Sequence, residues 1–173
     1  MNAQDAFEYF DRCDAVDIEF MLGRWKGSGF PAQHPLDGLL ETYGWYGKEF
    51  ISADIVHPLL FKRGTKAPYQ LTSQGLPLKT ILKYPIALPP LFIPILTPVK
   101  WILNQKKPTA RLREMNYRGK VSVGMVYDYQ PIIDHFRKID PETMLGVMDC
   151  KYLEGPFFFQ LHREASNVPT NID

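Results

Sequence analysis

Apolar and polar positions change their spacing along the chain. Over residues 3–11, Phe7 and Phe10 fall three apart, which puts both rings on one face of a short helix. From Phe20 onward the period drops to two. Trp25, Gly27 and Gly29 alternate with Arg24, Lys26 and Ser28, the pattern of a half-buried strand. Pro31, Pro35 and Gly38 turn residues 30–38 into a loop. The aromatic stretch 39–50 predicts a long strand, bent at Gly44 or Gly47. Further on come the runs 111–117, 121–128, 132–139, 143–151 and 157–164, each bounded by turn residues. Strands in such close succession predict an all-β fold, an antiparallel barrel or sandwich preceded by a short helix.

Residues 59–108 break the alternation. Within them the apolar stretch 82–103 carries Pro85, Pro89, Pro90, Pro94 and Pro98. A membrane span needs about 20 apolar residues in an unbroken helix, and interior prolines remove hydrogen bonds and clash with the preceding turn. The stretch therefore predicts a proline-rich lid over an apolar opening. One domain results: helix 1–17, first barrel part 18–58, lid 59–108, second barrel part 109–165 and tail 166–173.

Turn chemistry sets register, and register decides which side chains turn inward. Arg118-Gly119-Lys120 suits a three-residue hairpin loop. It would place Tyr117 opposite Val121 and send Arg113, Met115, Tyr117, Val121, Val123, Met125 and Tyr127 to one face. A type I turn at Asp140-Pro141-Glu142-Thr143 would pair Ile139 with Met144 and Arg137 with Gly146. The more apolar face then holds Ile133, His135, Arg137, Ile139, Met144, Met148 and Cys150, and it is expected inside. Asp134 would face Asp149 on the outer wall, balanced by Lys138 and Lys151. In the last strand Phe157, Phe159, Leu161 and Arg163 point inward, with Trp25 positioned to receive the guanidinium. In 39–50 the even face, with Leu40, Thr42, Tyr46, Lys48 and Phe50, is taken as the lining.

Bulk properties narrow the function classes. At 173 residues the chain buries a core without staples. Its net charge of +1 offers no field for nucleic acid. Cys13 and Cys150 stand far apart and in no metal-ligand spacing, so a reducing compartment is expected. The opening MNAQDAFEYFDRCD has no basic start and no apolar run, which predicts a cytoplasmic protein.

The stretch Gly23-Arg24-Trp25-Lys26-Gly27-Ser28-Gly29 matches a Gly-X-Trp-X-Gly-X-Gly signature. With Val56-His57-Pro58, MVYDYQPIIDHFRKID, LGVMDCK and PFFFQL, it makes the chain resemble the GXWXG domain family from about Phe20 to Glu164. The opening motif is also similar to the first strand of lipocalins, fatty-acid-binding proteins and nitrobindin. That resemblance implies a calycin-like barrel in which Trp25 packs under Arg163. It supplies no established activity.

No phosphate-binding loop, nucleophile elbow, zinc-binding His-Glu-X-X-His or dinucleotide fingerprint occurs. His34 and His57 precede prolines and are expected at turns, and His162 projects outward. The leading expectation is an apolar or amphipathic ligand inside the barrel. Tyr46, Lys48, Arg113, Tyr117, Tyr127, His135 and Arg137 would line it, suiting a fatty-acid-like anionic head group. No metal or cofactor is expected. The likeness to nitrobindin implies one alternative, haem held by His135. Others are a hydrolase or isomerase using His135 with Tyr127, and membrane-surface or homodimer contact through 82–103.

Overall fold

The computed structural model describes residues 1–64, 66–71, 74, 79 and 107–165. Helix α1 (Ala3–Arg12) opens with a capping box: Asn2 Oδ1 accepts from the Asp5 amide at 2.9 Å, and Asp5 Oδ2 accepts from the Asn2 amide. A short α2 (Ile18–Met21), capped by Asp17, leads into β1 (Gly23–Gly29). Phe20 thus lies in a helical turn, and the first strand starts later than its alternation suggested. Then follow α3 (Leu39–Thr42), β2 (Trp45–Ser52), β3 (Ile55–Arg63), β4 (Lys66–Gln70), β5 (Ala110–Tyr117), β6 (Lys120–Tyr127), β7 (Ile132–Asp140), β8 (Thr143–Cys150) and β9 (Phe157–Arg163).

The strands run in the spatial order β2-β1-β9-β8-β7-β6-β5-β3, and β2 pairs with β3 to close the ring. The result is an eight-stranded antiparallel barrel with β4 added outside on β3. Two expectations change here. Residues 39–42 are helical because Gly38 and Gly44, at φ 79° and 74°, take the left-handed turns that bracket one helical turn. Residues 59–63 and 66–70, assigned to the lid, are strand. The stretch 82–103 lies outside the described residues.

Each glycine of the opening motif answers to a neighbour. A Cβ on Gly27 would fall inside the indole of Trp45, and one on Gly29 would meet the Glu41 carboxylate, which accepts from the Gly29 amide. Gly23 sits at φ 112°, open only to glycine at low cost. Trp25 is fully buried; its Nε1 donates to the Met21 carbonyl at 2.8 Å, and the Arg163 guanidinium lies 4.1 Å from its ring. Arg163 also donates to the Leu22 and Phe20 carbonyls, fastening α2 across that end of the barrel.

Two apolar clusters result, one on each side of the wall. Inside are Trp25, Trp45, Phe50, Val56, Leu112, Met125, Phe136 and Phe159 among others. Outside, α1 lays Ala6 and Phe10 over Leu145, Val147 and Phe158. Between β6 and β7 the direct ladder is short, running from Gly124↔His135 to Val126↔Ile133. Beyond it residues 14–16 wedge in: Asp14 bridges to Lys138, and Ser122 Oγ accepts from the Val16 amide and donates to the Phe136 carbonyl.

Candidate functional site

Three local irregularities decide what enters the barrel. Arg118 and Gly119 both take positive φ (52° and 77°), making a two-residue turn that pairs Tyr117 with Lys120 rather than Val121. The β5 faces therefore exchange. Ala110 and Leu112 turn inward beside Tyr127 and Met125, while Arg113 and Tyr117 turn out. On β7 the expected Asp140↔Thr143 pair forms, but a register shift after Lys138 leaves Ile139 unpaired. Lys138 then faces Met144, Phe136 faces Gly146 and Asp134 faces Met148. Every β7 side chain is inverted relative to its expected face, whereas Met144, Met148 and Cys150 on β8 remain inside. Asp149 faces Ile133, so the expected Asp134–Asp149 pair does not exist. On β2 a third shift at Gly47, whose φ is 147°, lets both Trp45 and Lys48 point inward and turns Tyr46 out.

The expected lining residues thus separate. Lys48 and Tyr127 are inside. Tyr46 lies on the outer face, its hydroxyl 2.5 Å from Glu164 Oε1, and burial together with that carboxylate pushes its pKa up to about 12. Arg113 is exposed and ion-paired with Asp54 at 2.6 Å. Tyr117 and His135 stack on each other on the outer wall with ring centroids 3.6 Å apart. Arg137 is buried beneath α1, donating to the carbonyls of Phe136, Tyr117 and Lys120, with Phe10 4.9 Å from its guanidinium. An acid/base pair of His135 and Tyr127 is not assembled, since the wall stands between them.

What the interior gathers is a charge pair that alternation had divided. Lys48 Nζ lies 2.9 Å from Asp134 Oδ2 and donates to the Tyr127 hydroxyl at 3.2 Å and to the Pro58 carbonyl at 3.3 Å. Lys48 and Asp134 are 3% and 1% exposed. Aromatic rings wall the ammonium: Phe159 at 5.0 Å, Tyr127 at 5.6 Å and Trp45 at 5.7 Å from centroid to Nζ. Burial pushes the Asp134 carboxyl above the usual carboxylate range, opposed by the Lys48 charge and the adjacent Tyr127 hydroxyl. Tyr127 is held well above an ordinary phenol, first by burial and then by Asp134. Among the described residues no group besides Lys48 and Tyr127 meets either Asp134 oxygen, and none accepts from the Trp45 indole N–H.

Asp134 and Trp45 were both missed from the sequence as lining residues. The signal for Trp45 was the Gly27 opposite it. The signal for Asp134 was the extra residue needed to keep Met144 inside while closing the Asp140–Thr143 turn.

Haem does not fit the described interior. His135 is on the outer wall, His162 contacts Ser28 at 3.2 Å on the outer face, and His34 accepts from the Leu36 amide in its loop. His57 lies within β3 rather than at a turn; it pairs with Glu49, one step from the inward Phe50–Val56 pair. No group of metal-ligating side chains occurs among the described residues, and no described helix is long and apolar enough to cross a membrane. Two cavities of about 230 Å³ open outside the barrel. One lies by Phe30, Asp37 and Glu41; the other lies between Phe7, Tyr117, Asp149 and Pro156.

Residues 8–65 match the family described as GXWXG protein, and residues 108–163 match a domain of unknown function, DUF4334. The chain is similar to a protein from Thermomonospora curvata whose crystal structure is known. The two share 34% identity, with a TM-score of 0.69, over 95% of this chain and 89% of that one. No curated protein matches.

Proposed function

The chain belongs to the GXWXG protein family, and from that footing we infer that it binds a largely apolar small molecule inside its barrel, at Lys48, Asp134 and Tyr127. The observation that carries this reading is the buried pair itself. Withdrawing two ions from water costs several kcal/mol each, and apolar side chains of similar volume often serve stability as well or better. A barrel otherwise lined by Trp, Phe, Leu and Met gains little stability from a lysine and an aspartate there. A few convergent polar groups in an apolar, aromatic enclosure are how small-molecule sites are usually built.

Charge refines the ligand. The anionic head group expected from the sequence depended on Arg113, His135 and Arg137, and all three belong to the outer wall. Lys48 and Asp134 balance each other, so no surplus positive charge stands beside the pair for a carboxylate. An uncharged ligand suits it better.

Nile red, a neutral apolar dye, provides the test. Wild-type protein should bind it with a rise in fluorescence. Val123→Trp, which fills the interior, should abolish binding; Tyr117→Ala, on the outer wall, should leave it intact. Absence of binding by a folded wild type, or the opposite response of the two variants, would overturn the reading.

A further inference from the structure

The hydrogen-bonding capacity left open in the interior is of a particular kind. An ammonium has three N–H donors. Those of Lys48 are directed at the Pro58 carbonyl, the Tyr127 hydroxyl and the Asp134 carboxylate, so the lysine has nothing further to give. A carboxylate can accept about four hydrogen bonds. Lys48 and Tyr127 answer at most two of them, and no other described group meets either Asp134 oxygen. The same interior holds a buried indole N–H, on Trp45, with no acceptor. Leaving a buried polar atom unpaired is costly, and a ligand that answers it recovers that cost.

We propose that the ligand presents a hydroxyl group, donating its proton to Asp134, on an otherwise apolar and uncharged molecule such as a long-chain alcohol. An ester, ether or ketone only accepts and leaves Asp134 unanswered. A fatty-acid anion at this place adds a second negative charge next to the first, and the cation beside them, Lys48, is already paired. This inference rests on the interior-binding reading above and names the chemical class that site selects.

Calorimetric titration of wild-type protein with 1-decanol, decyl methyl ether and decanoate tests it. The three probes share their chain and differ at the polar end. Decanol should bind about tenfold or more tightly than the ether, the fold-change set by one hydrogen bond to a charged acceptor, and decanoate should bind no better than the ether. In the paired replacement Lys48→Met with Asp134→Leu, decanol and ether should become equivalent. If that variant does not fold, the wild-type ratio decides alone. Equal binding of alcohol and ether, or a preference for decanoate, would overturn the hydroxyl while leaving interior binding standing. Binding of none of the three while Nile red still enters would also overturn the hydroxyl. Failure of Nile red as well would remove the interior site and this inference together.

Discussion

Lys48 and Arg137 sit on opposite sides of one barrel wall, and the protein buries each cation by a different means. Lys48, inside, is met by a carboxylate and ringed by aromatic faces. Arg137, under α1, is met by three backbone carbonyls and by Phe10, with no described carboxylate within ion-pair distance. Neutral carbonyls suit a structural role: Arg137 ties Tyr117, Lys120 and Phe136 together where residues 14–16 separate β6 from β7. The ion pair also links β2 to β3, β6 and β7, but it does so through a buried charge, and its aspartate keeps acceptors to spare. One cation is met by neutral carbonyls outside the wall; the other is met by a charge inside it.

The largest effect should come from breaking the inner pair on one side only. Asp134→Leu leaves Lys48 buried without its counter-charge and should cost about 3–5 kcal/mol in urea unfolding. Adding Lys48→Met should restore stability to within about 1 kcal/mol of wild type. Strictly additive losses would mean that the two groups are not coupled and that the inner half of the comparison is wrong.

On the outer wall, His135 predicts a pH effect of similar size. Burial, aided by Arg137 and opposed by Asp149, lowers its pKa from 6.5 to about 4. As pH falls through that window the unfolded chain takes up the proton before the folded one does. Stability should therefore drop between pH 6.5 and 4, by up to about 3 kcal/mol. His135→Phe should flatten that portion of the curve. Asp134 works in the opposite sense. Its raised pKa means that the folded state holds its proton more tightly, so its contribution declines as pH rises from 3.8 toward the folded value. Unfolding curves of the two single variants across that range separate the inner group from the outer one.

A smaller loss is expected from Arg137→Met. Removing its donors leaves three carbonyls to find other partners, at about 2–3 kcal/mol. Amide exchange should quicken in α1 and residues 14–16, while Nile red affinity stays at the wild-type level. Loss of dye binding with α1 intact would contradict the division of labour. Gly27→Ala should cost about 1–3 kcal/mol by overpacking against Trp45, and Trp45→Leu in the same chain should relieve it.

Much of the barrel was legible in the chain. The periods of α1, β1 and β6 to β9 follow from alternation, and the Trp25–Arg163 contact follows from the inward face of the last strand. The site was harder, because its contents depend on single-residue shifts that alternation carries forward as an inversion. One residue fewer in the Arg118-Gly119 turn exchanges Arg113 for Leu112. One unpaired residue at Ile139 exchanges His135 for Asp134. Tyr127 was placed inside because no such shift lies between it and the residues that set its register; Lys48 was placed inside only because it shares the even face with Phe50. Trp45 was misplaced because the bulge at Gly47 intervenes. Bulges obey backbone geometry that residue type signals only faintly, and here they select the chemistry.

The most direct trial of the interior site is a crystal structure of the protein soaked with 8-bromo-1-octanol, recorded at the bromine absorption edge. An anomalous peak within the barrel, with the alcohol oxygen in hydrogen-bonding reach of Asp134, is the expected result. A peak confined to the outer cavity beside Tyr117 and Asp149, with the interior unchanged, would contradict it.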